Sequence, residues 1–353
     1  MAVLAPQERL TASDVKRQAA AAGFDLCGIA PATALPELAF LREWLDAGHG
    51  GEMEYLRRTA ERRSDVRQVM PSARSVIVFG TIYNTDRPYS TEIADAGEAA
   101  IARYAWGDDY HVVIQARLGR MVEWLRAESG AGIEARAYVD TGPVQERVYA
   151  QHAGLGWIGK NTCVISATQG SWIFLSEIIC NLDLTPDPPS LDQCGTCTLC
   201  LETCPTGALT APYTLDSRRC LSYLTIEIKG AIPVEHRESI SSHAYGCDIC
   251  QEVCPYNASP AVSSDPAWTV RDGLDRPALL DLWKHSDDEL RRLLRGSAMK
   301  RAGVRRLRRN LAVALGNTGD SSAIPALEAR HAPTCEDPLV VEHVRWAVET
   351  LNG

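Results

Sequence analysis

Long apolar runs are missing from this sequence. The most apolar stretch, Trp172 to Ile179, is interrupted by Ser176 and Glu177 and falls well short of the ~20 residues that a bilayer-spanning helix needs. The start, MAVLAPQERLTASDVKR, has no sustained apolar region of the kind found in secretory signals. We therefore expect a cytoplasmic protein with no membrane segment.

Glycine, proline and excess positive charge are also scarce. The 353 residues include 26 Gly and 19 Pro, too few for a fibrous or low-complexity chain, and the length predicts two or three domains. With 36 Lys and Arg against 45 Asp and Glu, the formal charge of −9 argues against a uniformly basic nucleic-acid binder. It does not exclude a local basic patch.

Cysteine, in contrast, is abundant and concentrated. Of the 12 cysteines, eight lie between Cys194 and Cys254, and in a reducing compartment such a density favours metal ligands over disulfides. Seven of the eight form two motifs, and Cys220 is left to complete the second, in which position 244 is Ala. The motifs are Cys194-x2-Cys197-x2-Cys200-x3-Cys204-Pro205, which has the spacing of bacterial ferredoxins, and Cys247-x2-Cys250-x3-Cys254-Pro255.

The spacing predicts two [4Fe–4S] clusters whose ligands are exchanged between the motifs, because the fourth cysteine of each ferredoxin motif binds the other cluster. Cluster one would use Cys194, Cys197, Cys200 and Cys254, and cluster two Cys204, Cys220, Cys247 and Cys250. A pair of four-cysteine zinc sites is the alternative, although zinc modules favour two separated Cys-x2-Cys pairs. The remaining cysteines, Cys27, Cys163, Cys180 and Cys335, are predicted to be small buried hydrophobes.

The chain divides by pattern into three predicted regions, 1–185, 186–262 and 263–353. The first alternates helical and strand-like segments, with a capping box at Thr11 and strands near 25–30, 75–80 and 133–139, and predicts a mixed α/β domain. Segments 162–166 and 172–175 predict a hairpin. The last region is helical, and matching residues 36 positions apart in 309–316 and 345–352 predict a HEAT-like repeat that packs on the rest.

Two segments ahead of the cysteines carry candidate chemistry. Asp140 follows the strand 133–139, where an α/β site commonly forms, and can act as an acid if burial raises its pKa; a turn or capping aspartate explains the position equally well. The glycine-rich segment 153–161 ends in Lys160 and Asn161. It is either an anion-binding loop or a tight turn with packing glycines, and it matches neither a P-loop nor a dinucleotide fingerprint.

A basic segment, 291–309, contains nine Lys and Arg residues and no acid. It carries +9, so the remaining residues carry −18. Val304, Leu307, Leu311 and Leu315 form an apolar stripe on a helix predicted to end near Gly316, which leaves most of the cations facing water. Such a segment is typical of a phosphate-backbone footprint, and a solvated face paired with acids elsewhere is the alternative. The expected RNA contacts are Lys300, Arg301, Arg305, Arg306, Arg308 and Arg309.

Together these segments resemble the epoxyqueuosine reductase family, the enzymes that complete queuosine synthesis in tRNA. The resemblance extends over nearly the whole chain and includes both cysteine motifs. Its other motifs are GEMEYL (51–56), ARSVI (73–77), RYAWGDDYH (103–111), DTGPVQER (140–147), AGLGWIGKN (153–161), GSWIFL (170–175), CLSYLTIE (220–227) and RGSAMKR (295–301).

The resemblance implies a fold and cofactors. It implies a cobalamin-binding catalytic domain, related to reductive dehalogenases and distantly to nitroreductases, followed by a ferredoxin-like two-cluster domain and HEAT-like helices. The cobalamin is expected base-off without a histidine ligand, since Asp109-x-His111 is followed by Ile114 where histidine-ligated corrinoid proteins have Gly. The residues expected to contact cobalamin or substrate are Arg63, Arg103, Asp140, Arg147, Lys160 and Ser222.

The resemblance also implies a reaction and partners. Asp140 would donate a proton while electrons from the clusters reach the cobalamin and the epoxide of epoxyqueuosine is reduced at the tRNA wobble position. The partners would be a tRNA with a queuosine-type anticodon and an unidentified electron donor, and we expect a monomer. Two other functions stay open: a dehalogenase-like reductase of a small molecule, and a non-catalytic electron-transfer protein. A zinc-dependent RNA-binding protein is a further class.

Overall fold

The computed structural model describes residues 10–92, 95–130, 132–329 and 337–353. No helix in these ranges is both long and apolar enough to cross a membrane. The strands are β1 (Leu26–Pro31), β2 (Ser75–Ile82), β3 (Ala100–Ile101), β4 (Ala135–Tyr138), β5 (Trp157–Ile158), β6 (Val164–Ile165), β7 (Ile173–Cys180), β8 (Leu209–Ala211), β9 (Thr214–Leu215) and β10 (His243–Tyr245). The helices are α1 (Ala12–Ala21), α2 (Phe40–Asp46), α3 (Glu54–Arg63), α4 (Val66–Val69), α5 (Tyr110–Ser129), α6 (Glu146–His152), α7 (Leu199–Glu202), α8 (Val234–Arg237), α9 (Ile249–Glu252), α10 (Leu279–Lys284), α11 (Asp287–Leu294), α12 (Gly303–Gly316), α13 (Ile324–Ala329) and α14 (Pro338–Asn352).

A four-stranded antiparallel sheet in the order β1-β2-β7-β4 forms the centre of the first region. Strand β2 is buried along its whole length, as expected of an apolar run that has neighbours on both edges. Helices α1 and α5 pack on one face of the sheet, and α4 and α6 pack on the other. The mixed α/β prediction is therefore confirmed.

Helix α1 begins where the sequence predicts. The hydroxyl of Thr11 accepts a hydrogen bond from the Asp14 backbone, and the Asp14 carboxylate accepts one from the Thr11 backbone. The helix is followed by Gly23, whose φ of 91° needs a residue without a Cβ.

The predicted hairpin of segments 162–166 and 172–175 is wrong. Residues 173–175 begin strand β7, which pairs with β2 and β4 in the central sheet, and β6 pairs instead with β5. Strand β7 is long and largely buried, so it is stable only as an internal strand with a neighbour on each edge.

The C-terminal helices α10 to α14 do not form a separate core. Their apolar side chains pack with Ile101, Trp106 and Tyr245, and β3 pairs in parallel with β10. The two segments matched at a spacing of 36 lie on α12 and α14, where a Cβ on Gly316 would be 2.9 Å from the Ala347 Cα. This packing agrees with a helical module that leans on the rest of the chain. The HEAT assignment and the three region boundaries stay predictions.

Candidate active site and cluster-binding loops

Asp140 stands at the end of the central sheet, two residues beyond β4. Its φ of 57° is left-handed, a conformation that Asp and Asn tolerate better than most residues. Its backbone N–H donates to the Glu146 carboxylate at 2.5 Å. The loop after it is anchored, because Arg63 donates to the Val144 carbonyl at 2.6 Å and Gln145 donates to the Leu38 carbonyl at 2.8 Å. The loop thus presents the Asp140 carboxylate, 44% exposed, at the sheet edge.

Three side chains surround the Asp140 carboxylate. Its Oδ2 lies 3.2 Å from His111 Nε2 and 3.9 Å from Arg301 Nη1, and Tyr110 adds a hydrogen bond. Burial alone would raise the pKa of Asp140, but these partners outweigh it and hold the pKa below its ordinary value. The condition set for Asp140 as an acid, a pKa raised by burial, is therefore not met in the resting site.

His111 is a functional residue that the sequence analysis missed. Its Nδ1 lies 2.8 Å from Asp109 Oδ1 and its Nε2 faces Asp140. Burial lowers the pKa of His111, but the two carboxylates outweigh burial and raise it above its ordinary value. The available signal was the Asp109-x-His111 pair, and Asp109 is the N-cap of α5. The raised pKa favours the protonated imidazole, whose Nε2 lies beside the Asp140 carboxylate.

The other residues expected at the cofactor lie in different places. Arg63 approaches the Asp140 loop from α3, and Arg147 is exposed and donates to the Thr162 carbonyl at 3.0 Å. Ser222 lies beside the Cys247 carbonyl at 3.4 Å, next to the cysteine loops.

Arg103 requires a correction. Its side chain is 3% exposed, and its guanidinium donates to the carbonyls of Thr85, Arg87 and Pro88 while lying over the Trp106 ring at 4.7 Å. Through these contacts, Arg103 holds residues 85–88 against the interior of the protein. It is therefore not positioned to contact a cofactor or substrate.

The fold brings the predicted cluster-one cysteines together. The thiol of Cys200, at α7, interacts electrostatically with those of Cys194, Cys254 and Cys197, although Cys254 belongs to the second motif. Burial raises the pKa of Cys200 to about 11, so a metal's positive charge is needed to make it a thiolate.

The cluster-two cysteines meet in the same way. Cys220 interacts with Cys204, Cys247 interacts with Cys220, and Cys250 interacts with both Cys247 and Cys220. A single ion would need its ligands within about 2.0–2.3 Å of one point. Nowhere in the part of the chain that the structure describes do three His, Cys, Asp or Glu side chains converge that closely. The choice between clusters and zinc therefore depends on the spacing of the motifs, which is that of ferredoxins.

Residues 157–163, which begin within the glycine-rich segment and are here called the strap, contact both sets of cysteines. Lys160 donates to the carbonyls of Gly195 at 2.7 Å and Cys197 at 3.0 Å, and Asn161 donates to the Cys250 carbonyl at 3.0 Å. Trp157 adds an N–H···S contact to Cys194 at 3.4 Å. The ammonium of Lys160, expected at the cobalamin, is thus engaged by the cluster-one loop.

Of the four cysteines outside the two sets, Cys163 was placed wrongly by the sequence. Its thiol interacts with that of Cys250, in the cluster-two set, instead of filling an apolar core. Cys180 is fully buried and Cys27 is partly buried in the core beneath the sheet, as expected, and burial raises the pKa of Cys27 to about 12. Cys335 lies outside the described residues.

The basic segment is not one solvated helix face. It comprises the end of α11, a turn and α12, and the side chains of Lys300, Arg301 and Arg305 are 59%, 40% and 55% exposed. Arg308 is 3% exposed and donates to the Trp283 carbonyl at 2.5 Å, while Arg309 is fully buried. The expectation that these two contact RNA is wrong. All residues from Leu307 to Gly316 are buried, because α12 is surrounded by other elements there.

Arg306 and Arg309 form a clamp on the segment that follows Cys220. Arg309 donates to the carbonyls of Ile228, Gly230 and Leu224 at 2.6–2.9 Å, and the half-buried Arg306 donates to the Ile226 carbonyl at 2.5 Å. Burial lowers the pKa of Arg309 to about 9, which leaves it charged at neutral pH.

Replacing Arg309 with Met should destabilise the protein strongly, because the carbonyls of Leu224, Ile228 and Gly230 lose their donor and the first of these residues is buried. At about 1 kcal/mol for each hydrogen bond, the loss is about 3 kcal/mol. Thermal unfolding followed by circular dichroism measures it. The exposed Arg305→Met is the control and should change stability by less than about 0.5 kcal/mol. Equal midpoints for the two variants would contradict the assignment.

Comparisons with known proteins agree with this geometry. Residues 63–141 match the family model "Epoxyqueuosine reductase QueG, DUF1730", and residues 193–257 match the "4Fe-4S double cluster binding domain". The epoxyqueuosine reductases of Xanthomonas campestris and Pseudomonas aeruginosa are both 41% identical to the chain, over 98% of both sequences for the first and 97% and 95% for the second.

Solved structures give the same result. An epoxyqueuosine reductase bound to an epoxyqueuosine-modified tRNA-Tyr stem loop superposes with a TM-score of 0.87 at 29% identity, over 97% of this chain and 90% of that one. The Bacillus subtilis epoxyqueuosine reductase, solved with its catalytic aspartate loop swung out of the active site, also gives 0.87 at 28% identity, over 96% and 90%. A reductive dehalogenase gives a TM-score of only 0.41. The expected relationship to that family therefore stays a prediction. With relatives above 40% identity over essentially the full length, the chain belongs to the epoxyqueuosine reductase family.

Proposed function

We propose that the protein reduces the epoxide of epoxyqueuosine in the anticodon of tRNA to queuosine. The single observation that carries this proposal is the 41% identity to a named epoxyqueuosine reductase over 98% of both chains. A relative of the same fold has been solved with an epoxyqueuosine-modified stem loop. The cytoplasmic location and the monomeric state stay expectations from the sequence.

Two [4Fe–4S] clusters are proposed as the electron path. Cluster one takes Cys194, Cys197, Cys200 and Cys254, and cluster two takes Cys204, Cys220, Cys247 and Cys250. The electrostatic contacts within each set support the exchange of ligands between motifs. Lys160 and Asn161 of the strap fix the spacing of the two loops by binding their carbonyls.

Cobalamin is proposed as the group that delivers the electrons to the epoxide. The side chains near Asp140 fit it. Arg301 approaches Asp140, Tyr55 at the start of α3 lies beside Arg301, and Arg63 reaches the loop after Asp140, so that all three can donate to the amide oxygens of a corrin. His111, the histidine beside Asp140, has both ring nitrogens against carboxylates and is not available as a metal ligand. When bound, the cobalt centre would supply a strong one-electron reductant and nucleophile, without a histidine ligand.

The proton chemistry is proposed for the chain's own residues. Asp140 is ionised at rest and hydrogen-bonded to His111, so it can pass the His111 proton to the oxygen that leaves the substrate. Arg301 contacts Asp140 at 3.9 Å and lies 5.9 Å from the Tyr55 ring centre, where it can hold a nucleotide close to the acid. The wobble base must be splayed out of the loop to reach this point, as recognised single-stranded RNA bases commonly are.

The exposed part of the basic segment is proposed to hold the anticodon stem. Lys300 and Arg301 lie on the same edge as the active site, because Lys300 pairs with Asp109 at 2.5 Å and Arg301 approaches Asp140. Each exposed cation also has an acidic partner, which for Arg301 is Glu227 at 2.8 Å and for Arg305 is Asp337 at 2.6 Å. The support for an RNA substrate over the small-molecule alternative is therefore the position of these cations on the edge that holds Asp140. The RNA contacts proposed are therefore Lys300, Arg301 and Arg305, with Arg306 turned inward.

The test is anaerobic purification, iron and cobalt analysis, and nucleoside analysis of epoxyqueuosine-containing tRNA after incubation with a chemical reductant. We expect about eight irons per chain and conversion of epoxyqueuosine to queuosine. Reduction of free small epoxides without tRNA conversion would support the dehalogenase-like alternative. Bound iron without any reductase activity in the cobalamin-loaded protein would support the electron-transfer alternative. A colourless protein that binds zinc would exclude all functions that need the clusters.

Replacing Arg305 with Ala should weaken stem-loop binding and reduce its dependence on salt. Each lost phosphate contact lowers the slope of log K against log salt by about one. Fluorescence anisotropy with a labelled anticodon stem loop from 50 to 300 mM KCl measures the slope.

Arg67→Ala is the matched control. Arg67 is also exposed and makes the same two-atom pairing with a helix-capping aspartate, Asp65, as Arg305 makes with Asp337. It belongs to α4, outside the basic segment. The same change of slope in both variants would remove Arg305 from the RNA surface.

A further inference from the structure

Two carboxyl groups lie behind Asp140 and take no part in the scheme above. Glu177 is in the middle of β7, 0% exposed, and neither of its oxygens has a hydrogen-bond partner among the described residues. Its register partners are Val78 on β2 and Tyr138 on β4. Glu146 is at the start of α6, which packs on that same face, and accepts the Asp140 backbone N–H at 2.5 Å.

Few charges compensate this pair. Glu177 is faced by Glu146, Arg63 and Asp140, and Glu146 by Asp140, Arg147 and Arg63. Arg63 already donates hydrogen bonds to Val144 and Thr59, and Arg147 donates one to Thr162. Ionising Glu177 costs free energy, because a buried carboxylate without a hydrogen-bond donor has lost its hydration and gained no partner. Burial, then the mutual repulsion of the acids, raises the pKa of Glu146 to about 8 and that of Glu177 well above its usual range.

The reaction needs more protons than the Asp140–His111 pair carries at rest. Conversion of an epoxide to an alkene breaks two C–O bonds, releases the oxygen as water, and consumes two electrons and two protons. The electrons come from the one-electron donor through the clusters. At rest Asp140 is an anion, so the His111–Asp140 pair carries one transferable proton. The second must come from elsewhere, and the Asp140 loop and the bound tRNA would cover this edge of the sheet.

We propose that Glu146 and Glu177 form an internal proton store that supplies the second proton through Asp140. The inference rests on the proposed function. In the step, the O–H bond of Glu146 breaks, an O–H bond forms on the Asp140 carboxylate, and Asp140 then protonates the departing oxygen. The Glu177 carboxyl, which has no hydrogen-bond partner at rest, then turns toward Glu146 and its O–H proton passes to the Glu146 carboxylate; both acids are refilled from solvent between turnovers. Glu146 and Glu177 act through Asp140, and they position and supply the proton without touching the substrate.

The direct test is infrared spectroscopy of the full-length chain carrying its clusters, titrated from pH 5 to 10. Protonated carboxylic acids have a C=O stretch that carboxylates lack. We expect this band to persist at pH 7 in the wild type, to fall as the pH rises through about 8, and to lose one component in each of Glu146→Gln and Glu177→Gln. A wild type with no such band at pH 7 would overturn the proposal.

The second test is the pH dependence of single-turnover reduction of epoxyqueuosine stem loop. The wild-type rate should fall as the pH rises through about 8, since Glu146 then loses its proton. Glu146→Gln keeps an oxygen for the Asp140 N–H, so the loop is retained, but it should be at least about tenfold slower at pH 7 and lack this limb. A structural defect would instead lower the rate equally at all pH values.

Glu134→Gln is the control, because Glu134 is an exposed acid just before β4 that bonds Ser72, and it should leave rate and profile unchanged. An unaltered profile in Glu146→Gln would overturn the proton store. A wild type that fails to reduce epoxyqueuosine would refute the proposed function, and the infrared titration still decides the protonation of the pair.

Discussion

Replacing Asp140 with Asn should reduce single-turnover epoxide reduction by about 10²–10⁴-fold, the usual contribution of a general acid. The amide cannot take the proton of His111 or pass it on. Asn, like Asp, tolerates the left-handed backbone at this position better than most residues other than Gly, and φ here is 57°, so the loop should keep its shape. The measurement is the queuosine formed in one turnover by the reduced enzyme.

Cofactor content and stem-loop affinity must be shown to survive in this variant. Asp108→Asn is the matched control, since Asp108 is an exposed aspartate in the neighbouring motif that pairs with Arg271 at 2.8 Å. It should turn over at the wild-type rate. Full activity of Asp140→Asn would exclude Asp140 as the acid and direct attention to His111.

Replacing Cys220 with Ser should halve the iron content, from about eight to about four atoms per chain, and abolish reduction of tRNA. Cys220 is the ligand that no regular motif provides, because position 244 is Ala. It lies in an interior loop and interacts with Cys204, and Cys247 in turn interacts with it. Iron analysis and electron paramagnetic resonance of the reduced protein should show that one of two cluster signals is lost.

Cys180→Ala is the control for this experiment. Cys180 is fully buried at the end of β7, outside both sets, and its variant should keep eight irons. A Cys220→Ser protein that retained two intact clusters would contradict the assignment of cluster two. A protein that lost all iron would show that the two sites cannot be filled separately.

The features predicted correctly from the sequence depend on interactions between residues that are close together in the chain. The capping box at Thr11 and the buried strand at 75–80 are local patterns, and both are found in the fold. The grouping of Cys194, Cys197 and Cys200 also follows from spacing, because thiols separated by two residues curl a loop around one point, whereas Cys220 was assigned because it was the cysteine left over. The structure adds that Cys254 crosses to Cys200, as expected.

What the sequence could not predict depends on contacts between distant segments. The pKa of Asp140 is set by His111 and Arg301, which are 29 and 161 positions away, so its protonation could not be judged from its own loop. The apolar stripe on α12 implied one packed face and one wet face. The second half of that helix is surrounded, which places Arg308 and Arg309 inside.

The clamp on the segment after Cys220 also has a consequence for biosynthesis. Arg309 follows Leu224 by 85 residues, and the carbonyls it binds belong to the stretch that carries a cluster-two ligand. The ribosome must therefore deliver nearly the whole chain before that stretch gains its final hydrogen-bond partners. Domains generally fold from the N-terminus during synthesis, so the sheet is in place first. We therefore expect the segment that carries Cys220 to reach its final structure only after α12 has been synthesised.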